Sequence, residues 1–261
     1  MKQKILSRSI LALCIIFSLV SCNNNEKKAE ESSMADTTAT APEVAPAPPA
    51  TEESIDAVKA APNLYKVLSD SLGIRILEAT YKPGDSSVLH SHPDNAVYVI
   101  SGGTDDFIGK DGTKTPMEMK TGMTSIRGYD LHSVKNTGKT TLKVIVVEVN
   151  RPKTIVPTDP ATDPTKVAAN NYKTLADSLG IRIVEVNYKP GQSSVFHTHP
   201  DVAVYAVQGG TGELTGKDGK KNVSTFPSGA TWIAAADGHS GKNIGKKPYK
   251  LILFEINRPR N

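Results

Sequence analysis

The 261-residue chain has two cysteines, one tryptophan and only 5% aromatic residues. Both cysteines, Cys14 and Cys22, precede residue 23, so nothing beyond that point can form a disulfide or act as a thiol nucleophile. A disulfide-stapled fold and cysteine catalysis are both excluded. A dominant charge is missing too. The 31 Lys and Arg stand against 27 Asp and Glu, a net +4, without the clustered basic face that nucleic-acid binding requires. No nucleic-acid partner is expected. No stretch shows a clear amphipathic helical period. The apolar run Ile10 to Val20, broken only by Ser18, is about half as long as a membrane-spanning helix.

That run has another use. It follows Lys2, Lys4 and Arg8, which is the charge pattern of a secretory signal peptide. It ends in Leu19-Val20-Ser21-Cys22, which resembles the lipobox of bacterial lipoproteins. The resemblance implies removal of residues 1–21 and acylation of Cys22. The product would be lipid-anchored in the bacterial cell envelope, with the membrane as a partner through the acyl chains. Asn23, where an aspartate would retain the protein at the inner membrane, implies the outer membrane. Residues 22–60 are rich in Ala, Pro, Thr and Glu, with four prolines between Ala39 and Ala50. Such a segment buries too little apolar surface to offset its ordering entropy, so it is expected to be a disordered tether.

The remainder is one unit written twice. Asp70-Ser71-Leu72-Gly73-Ile74-Arg75 recurs as Asp177-Ser178-Leu179-Gly180-Ile181-Arg182. The same offset carries His90 to His197, His132 to His239, and Asn150-Arg151-Pro152 to Asn257-Arg258-Pro259. The expected units are 61–152 and 170–261, joined by a linker over 153–169 that holds three prolines. Each unit is an all-β sequence. Short runs of β-branched residues alternate with turns such as Lys82-Pro83-Gly84 and Lys110-Asp111-Gly112. Val144 to Val149 is almost continuously apolar, as in a strand buried on both faces. Many short strands with Gly-rich turns imply a sandwich or barrel. Two copies can pack as an internal pseudo-dimer or can still form a homodimer.

All six histidines of the chain occupy matched positions: His90, His92 and His132, then His197, His199 and His239. On a strand, residues i and i+2 share a face, so His90 and His92 project into one space. A third imidazole from a later strand completes a tripod. Neutral imidazole is the commonest metal ligand, and it suits iron, zinc, nickel and copper better than magnesium or calcium.

Gly84, five residues, His90-x-His92-Pro93 and then Gly102-Gly103 resemble the first motif of the cupin superfamily. His132-Ser133-Val134-Lys135-Asn136-Thr137-Gly138 resembles the second, and Gly191…His197-x-His199-Pro200…Gly209-Gly210 with His239-Ser240-Gly241-Lys242-Asn243 repeats both. The chain thus looks like a bicupin. The family implies two tandem jelly-roll (double-stranded β-helix) barrels, each with a divalent metal inside. One departure matters. The family usually places a glutamate four residues after the second histidine, where this chain has Ala96 and Ala203. The ligands would then be three neutral histidines. That leaves the ion's charge uncompensated, so the site should draw an anion. Among cupins, three-histidine sites resemble those of iron dioxygenases. Fe(II) or Zn is expected, with Ni or Cu as alternatives.

Other residues carry weaker signals. Counted along the strand from the histidines, Tyr98 and Tyr205 are expected on the inner face. Arg127 and Tyr129 stand at an expected pocket mouth, where the second copy has Trp232 and an alanine run from Ala234 to Ala236. Arg127 and Tyr129 could clasp an anionic ligand; alanines could not. Asp94 and Asp201 are expected in a turn, and Glu148 and Glu255 sit inside apolar strands, where burial would demand partners. Arg75, Arg182, Glu78 and Glu185 have no assigned role. Two functions follow. One is a metal-dependent enzyme of oxygenase or isomerase type acting on a small anionic molecule. The other is a non-catalytic envelope module that binds metal, sugar or another small ligand.

Overall fold

The computed structural model describes residues 54–261. The expected signal peptide, Cys22 and most of the tether lie outside them. The first barrel follows a short helix α1 (Ala57–Ala60). Its strands are β1 (Tyr65–Ser71), β2 (Ile74–Tyr81), β3 (His90–His92), β4 (Asn95–Ser101), β5 (Gly103–Gly109), β6 (Lys114–Met119), β7 (Thr124–Arg127), β8 (Asp130–Asn136) and β9 (Leu142–Val149). The second barrel repeats this as α2 (Pro164–Val167), β10 (Tyr172–Ser178), β11 (Ile181–Tyr188), β12 (His197–His199), β13 (Asp201–Gln208), β14 (Gly210–Gly216), β15 (Lys221–Phe226), β16 (Thr231–Ala234), β17 (Asp237–Asn243) and β18 (Tyr249–Ile256).

Each barrel closes two sheets on each other. In the first they are β1-β2-β9-β4-β7 and β3-β8-β5-β6; in the second, β10-β11-β18-β13-β16 and β12-β17-β14-β15. All named pairings are antiparallel, and the strand orders are those of a jelly roll. The five-stranded sheets of the two barrels pack back to back. This explains the unbroken apolar run of β9. Val144 and Val146 point into the first barrel's core with Leu77, Ala79 and Val99. Ile145, Val147 and Val149 point the other way, into a core shared with Ile181, Ile183, Ile252 and Phe254 of the second barrel. A strand with two buried faces has no position for a polar alternation.

The most exactly repeated motifs build this junction. Leu72 and Leu179 have φ of 54° and 53°, a left-handed conformation that costs a non-glycine residue about 1–2 kcal/mol. Each turn presents its carbonyl to an arginine of an Asn-Arg-Pro motif: Arg151 Nε donates to Leu72 O at 2.8 Å, and Arg258 Nε to Leu179 O at 2.7 Å. Each arginine then crosses to the other barrel. Arg151 pairs with Asp201, and Arg258 with Asp94, both at 2.6 Å. The two aspartates expected in turns are therefore reciprocal inter-barrel anchors.

The ordered structure also begins earlier than composition suggested. Ser91 N–H donates to Ile55 O at 2.8 Å, and the Asp56 carboxylate caps α1 through Val58 and Lys59 N–H. The stretch expected to link the units behaves alike: Asp163 caps α2, and Thr198 N–H donates to Thr162 O at 2.9 Å. The tether boundary at 60 and the linker boundary at 169 both fall inside hydrogen-bonded structure. Four-residue helices held by capping carboxylates leave no hydrophobic period to read.

Close packing also explains the paired glycines. A Cβ on Gly209 would sit 2.5 Å from Phe226 O, and one on Gly102 2.4 Å from Met119 O. Gly209→Ala is expected to lower stability by about 1–3 kcal/mol in urea denaturation. Gly128→Ala, whose Cβ would meet nothing closer than 3.7 Å, should change it by less than about 0.5 kcal/mol.

Candidate metal centres

Strand pairing assembles the histidines. β3 runs antiparallel to β8, with His90 opposite His132 and His92 opposite Asp130. β12 and β17 likewise oppose His197 to His239 and His199 to Asp237. In each barrel one nitrogen from every histidine lies within 4.8 Å of the others. His90 and His197 are fully buried, and His92, His132 and His199 are nearly so.

Hydrogen bonds set which nitrogen is free. Nδ1 of His90 donates to Val88 O at 2.9 Å, and Nδ1 of His197 to Val195 O at 2.8 Å. Nδ1 of His92 donates to Glu148 Oε1 at 2.7 Å, and Nδ1 of His199 to Glu255 Oε1 at 2.6 Å. A lone pair is thereby left on each Nε2. Tyr65 O–H donates to the His90 Nε2 at 2.9 Å. The His197 Nε2 is buried and has no partner at all. An unpaired buried acceptor is costly unless something electropositive meets it, and a cation fits that description. Burial pushes His90 and His197 down to about 4, with the neighbouring imidazoles adding to the effect. Burial and the same neighbours push His132 down to about 2 and lower His239. These four rings are neutral at pH 7, the form that binds metals.

Behind each site runs a buried polar chain that sequence reasoning left unassigned. Glu148, fully buried, accepts from His92 with one oxygen and from Arg75 Nε with the other at 2.6 Å. Arg75 continues to Asp56 at 2.6 Å. The second barrel repeats the chain as His199–Glu255–Arg182–Asp163. The available clue was an acidic residue at one position of each apolar strand, at the same offset as the histidines.

The cavities differ beyond the histidines. The first, about 80 Å³, is lined by His92 and His132 with Asp105, Phe107, Met117 and Arg127 among its walls. The second, about 170 Å³, has His199 and His239 with Leu214, Trp232, Ala234 and Tyr249. Arg127 lines the first cavity and Trp232 the second. Tyr129 does not: it lies on the outer surface, 39% exposed, and only its backbone N–H is engaged, by Asp94. Tyr98 and Tyr205 are also corrected. Their rings lie 5.6 Å apart, tilted by 43°, in the core between the barrels. The chain leaves one sheet after β3 and joins the other at β4, so strand parity does not carry across Pro93-Asp94. The cavity-facing positions of β4 are Asn95 and Val97, and those of β13 are Val202 and Val204. Ala96 and Ala203 face the inter-barrel core. Neither strand offers the cavity a carboxylate.

No protein-family model matches the chain, and no curated protein does. Solved structures do. AerE from Microcystis aeruginosa superposes with a TM-score of 0.54 at 14% identity, over 74% of this chain and 91% of that one. Oxalate decarboxylase from Bacillus subtilis, in a study of its Mn(II) centres, gives 0.50 at 16% identity over 72% and 70%. The fold is a cupin fold, built twice. A cupin 2 conserved barrel domain protein from Leptotrichia buccalis also aligns, at 0.45 and 13% identity over 74% and 88%. At such identities, the superpositions on AerE and the oxalate decarboxylase show the fold alone. Within it, each barrel sets two histidines of its triad in the wall of a largely apolar cavity.

Proposed function

We propose that each cupin barrel binds a divalent transition metal, through His90, His92 and His132 in the first and His197, His199 and His239 in the second. The first barrel then acts on a small anionic organic molecule. The observation that carries this is the doubled triad, with four rings held neutral, four tautomers set by hydrogen bonds and an unpartnered His197 Nε2. A bound ion would supply a Lewis-acid centre with open positions. The chain's own residues do the rest. Glu148 and Glu255 hold the rings of His92 and His199. Arg127 presents a cation beside the first triad. The Phe107 and Met117 wall excludes water. With no carboxylate in the ligand set, imidazole preference favours Fe(II) or Zn, then Ni or Cu, over the manganese of the Bacillus subtilis enzyme.

The second barrel has Ala234 in place of Arg127, which favours a binding role there without turnover. The N-terminal sequence supports anchoring through acylated Cys22 in the bacterial envelope, at the outer membrane.

Elemental analysis tests the metal reading. The full chain, purified in detergent without chelators, should carry about one or two equivalents of Fe, Zn, Ni or Cu. His90→Ala/His197→Ala should carry none while staying folded. A folded wild-type chain that takes up no metal, even on anaerobic reconstitution, would sink it.

A further inference from the structure

The first barrel sets a buried acid and a half-buried arginine in one cavity without pairing them. Asp105 projects from β5 into the cavity, 4% exposed, and its Oδ1 has no hydrogen-bond partner. Arg127 reaches the same cavity from β7. Its guanidinium lies over the Phe107 ring at 4.7 Å and donates to Met117 Sδ at 3.7 Å, both weak substitutes for a carboxylate. Among the described residues, no acidic side chain pairs with it. Asp130, the cavity's other acid, is more exposed and sits 3.7 Å from His132 Nδ1. Burial pushes Asp105 up to about 6, only partly offset by the pull of Arg127.

The second barrel is an internal control. It keeps the triad and the buried polar chain, yet Gly212 stands at the position of Asp105 and Ala234 at that of Arg127. A Cβ on Gly212 would face Tyr249 Oη at 3.5 Å, so an aromatic side chain takes the space that the acid occupies in the first barrel. The frame therefore does not need the charged pair.

A ligand that completes both groups must bring an anionic oxygen for the guanidinium and a hydrogen-bond donor for the free carboxylate oxygen. The rest of the wall is mainly apolar, apart from the histidines, two tyrosines, Asn95, Ser125 and Asp130. On the measure by which about 10–15 Å³ holds one water, the cavity of about 80 Å³ has room for roughly five to eight water-sized groups. We propose that the first barrel, and not the second, binds a short-chain 2-hydroxycarboxylate, with its carboxylate on Arg127 and its hydroxyl donating to Asp105. This rests on the reading of the first barrel as the site for an anionic ligand and gives that ligand a chemical class.

Calorimetry on the full chain tests it, with 2-hydroxybutyrate, butyrate and 2-hydroxybutyramide, each in chelated and zinc-loaded protein. The hydroxy acid should bind at about one equivalent and at least about tenfold more tightly than either analogue, with or without zinc. Asp105→Ala should bring 2-hydroxybutyrate and butyrate to the same affinity. Arg127→Ala should weaken both carboxylates by about tenfold or more. Val223→Ala, an exposed position of the second barrel, should change neither. The wild-type comparison stands even if a variant fails to fold. Equal affinities in the wild type, binding at two equivalents, no binding at all, or an Asp105→Ala protein that still prefers the hydroxy acid would each overturn the proposal. Zinc uptake without discrimination removes this inference and leaves the metal reading; discrimination without zinc uptake does the reverse.

Discussion

Asp94→Ala should cost the fold about 3–5 kcal/mol, because it strands the guanidinium of Arg258 in the junction between the barrels. Both side chains are nearly inaccessible, at 2% and 1% exposure, so water cannot replace the lost partner. Asp201→Ala should cost a similar amount by stranding Arg151. Lys153 and Arg260 contact the same two aspartates from solvent, at 75% and 50% exposure, and truncating either should cost less than about 1 kcal/mol. Urea denaturation of the four variants checks the contrast, and equal losses in all four would remove the assignment of the inner pairs as the anchors.

The anchors also set an acid limit. Burial would raise the Asp94 carboxyl, but hydrogen bonds from Arg258 and Lys153 outweigh it and hold it below its ordinary value. Asp201 is held lower still by Arg260, against burial, with the Ala236 N–H and Arg151 adding to the effect. A carboxylate depressed in the folded state stabilises fully above its unfolded value of about 3.9, and that contribution disappears as pH falls through the folded value. The stability gap between wild type and Asp94→Ala should therefore hold at neutral pH and narrow below about pH 4.

Glu148→Ala should weaken metal binding in the first barrel by about 10–100-fold and leave the second unchanged. The carboxylate does two things: it holds the His92 ring through Nδ1–H, and it offsets the charge of Arg75. Without it, His92 is free to rotate and to place its proton on Nε2. Zinc competition against a chelator reads the affinity. Long-range ¹⁵N NMR of the metal-free protein reads the tautomer, which a purely structural role for Glu148 would leave unmoved. Glu255→Ala should reverse the asymmetry. Affinity lost equally in both barrels would mean general destabilisation instead.

The repeat, the all-β character, the six histidines as two sets of three and the double burial of Val144 to Val149 are legible in the residues alone. These depend on period and spacing within single strands, and a strand's alternation of faces is a local property. The tertiary structure decided where faces point once the chain changes sheets. Tyr98 looks inward when counted from His92, but the crossover at Pro93-Asp94 turns it into the inter-barrel core. Only the fold could bring Glu148 to His92, 56 residues away, or Arg258 to Asp94, 164 residues away. Buried polar contacts of this kind leave no periodic trace, because each needs just one residue from each of two distant strands. The same holds for Asp105 and Arg127: their identities stand in the sequence, but closure of the two sheets is what sets both in one cavity, unpaired with each other and beside the histidines.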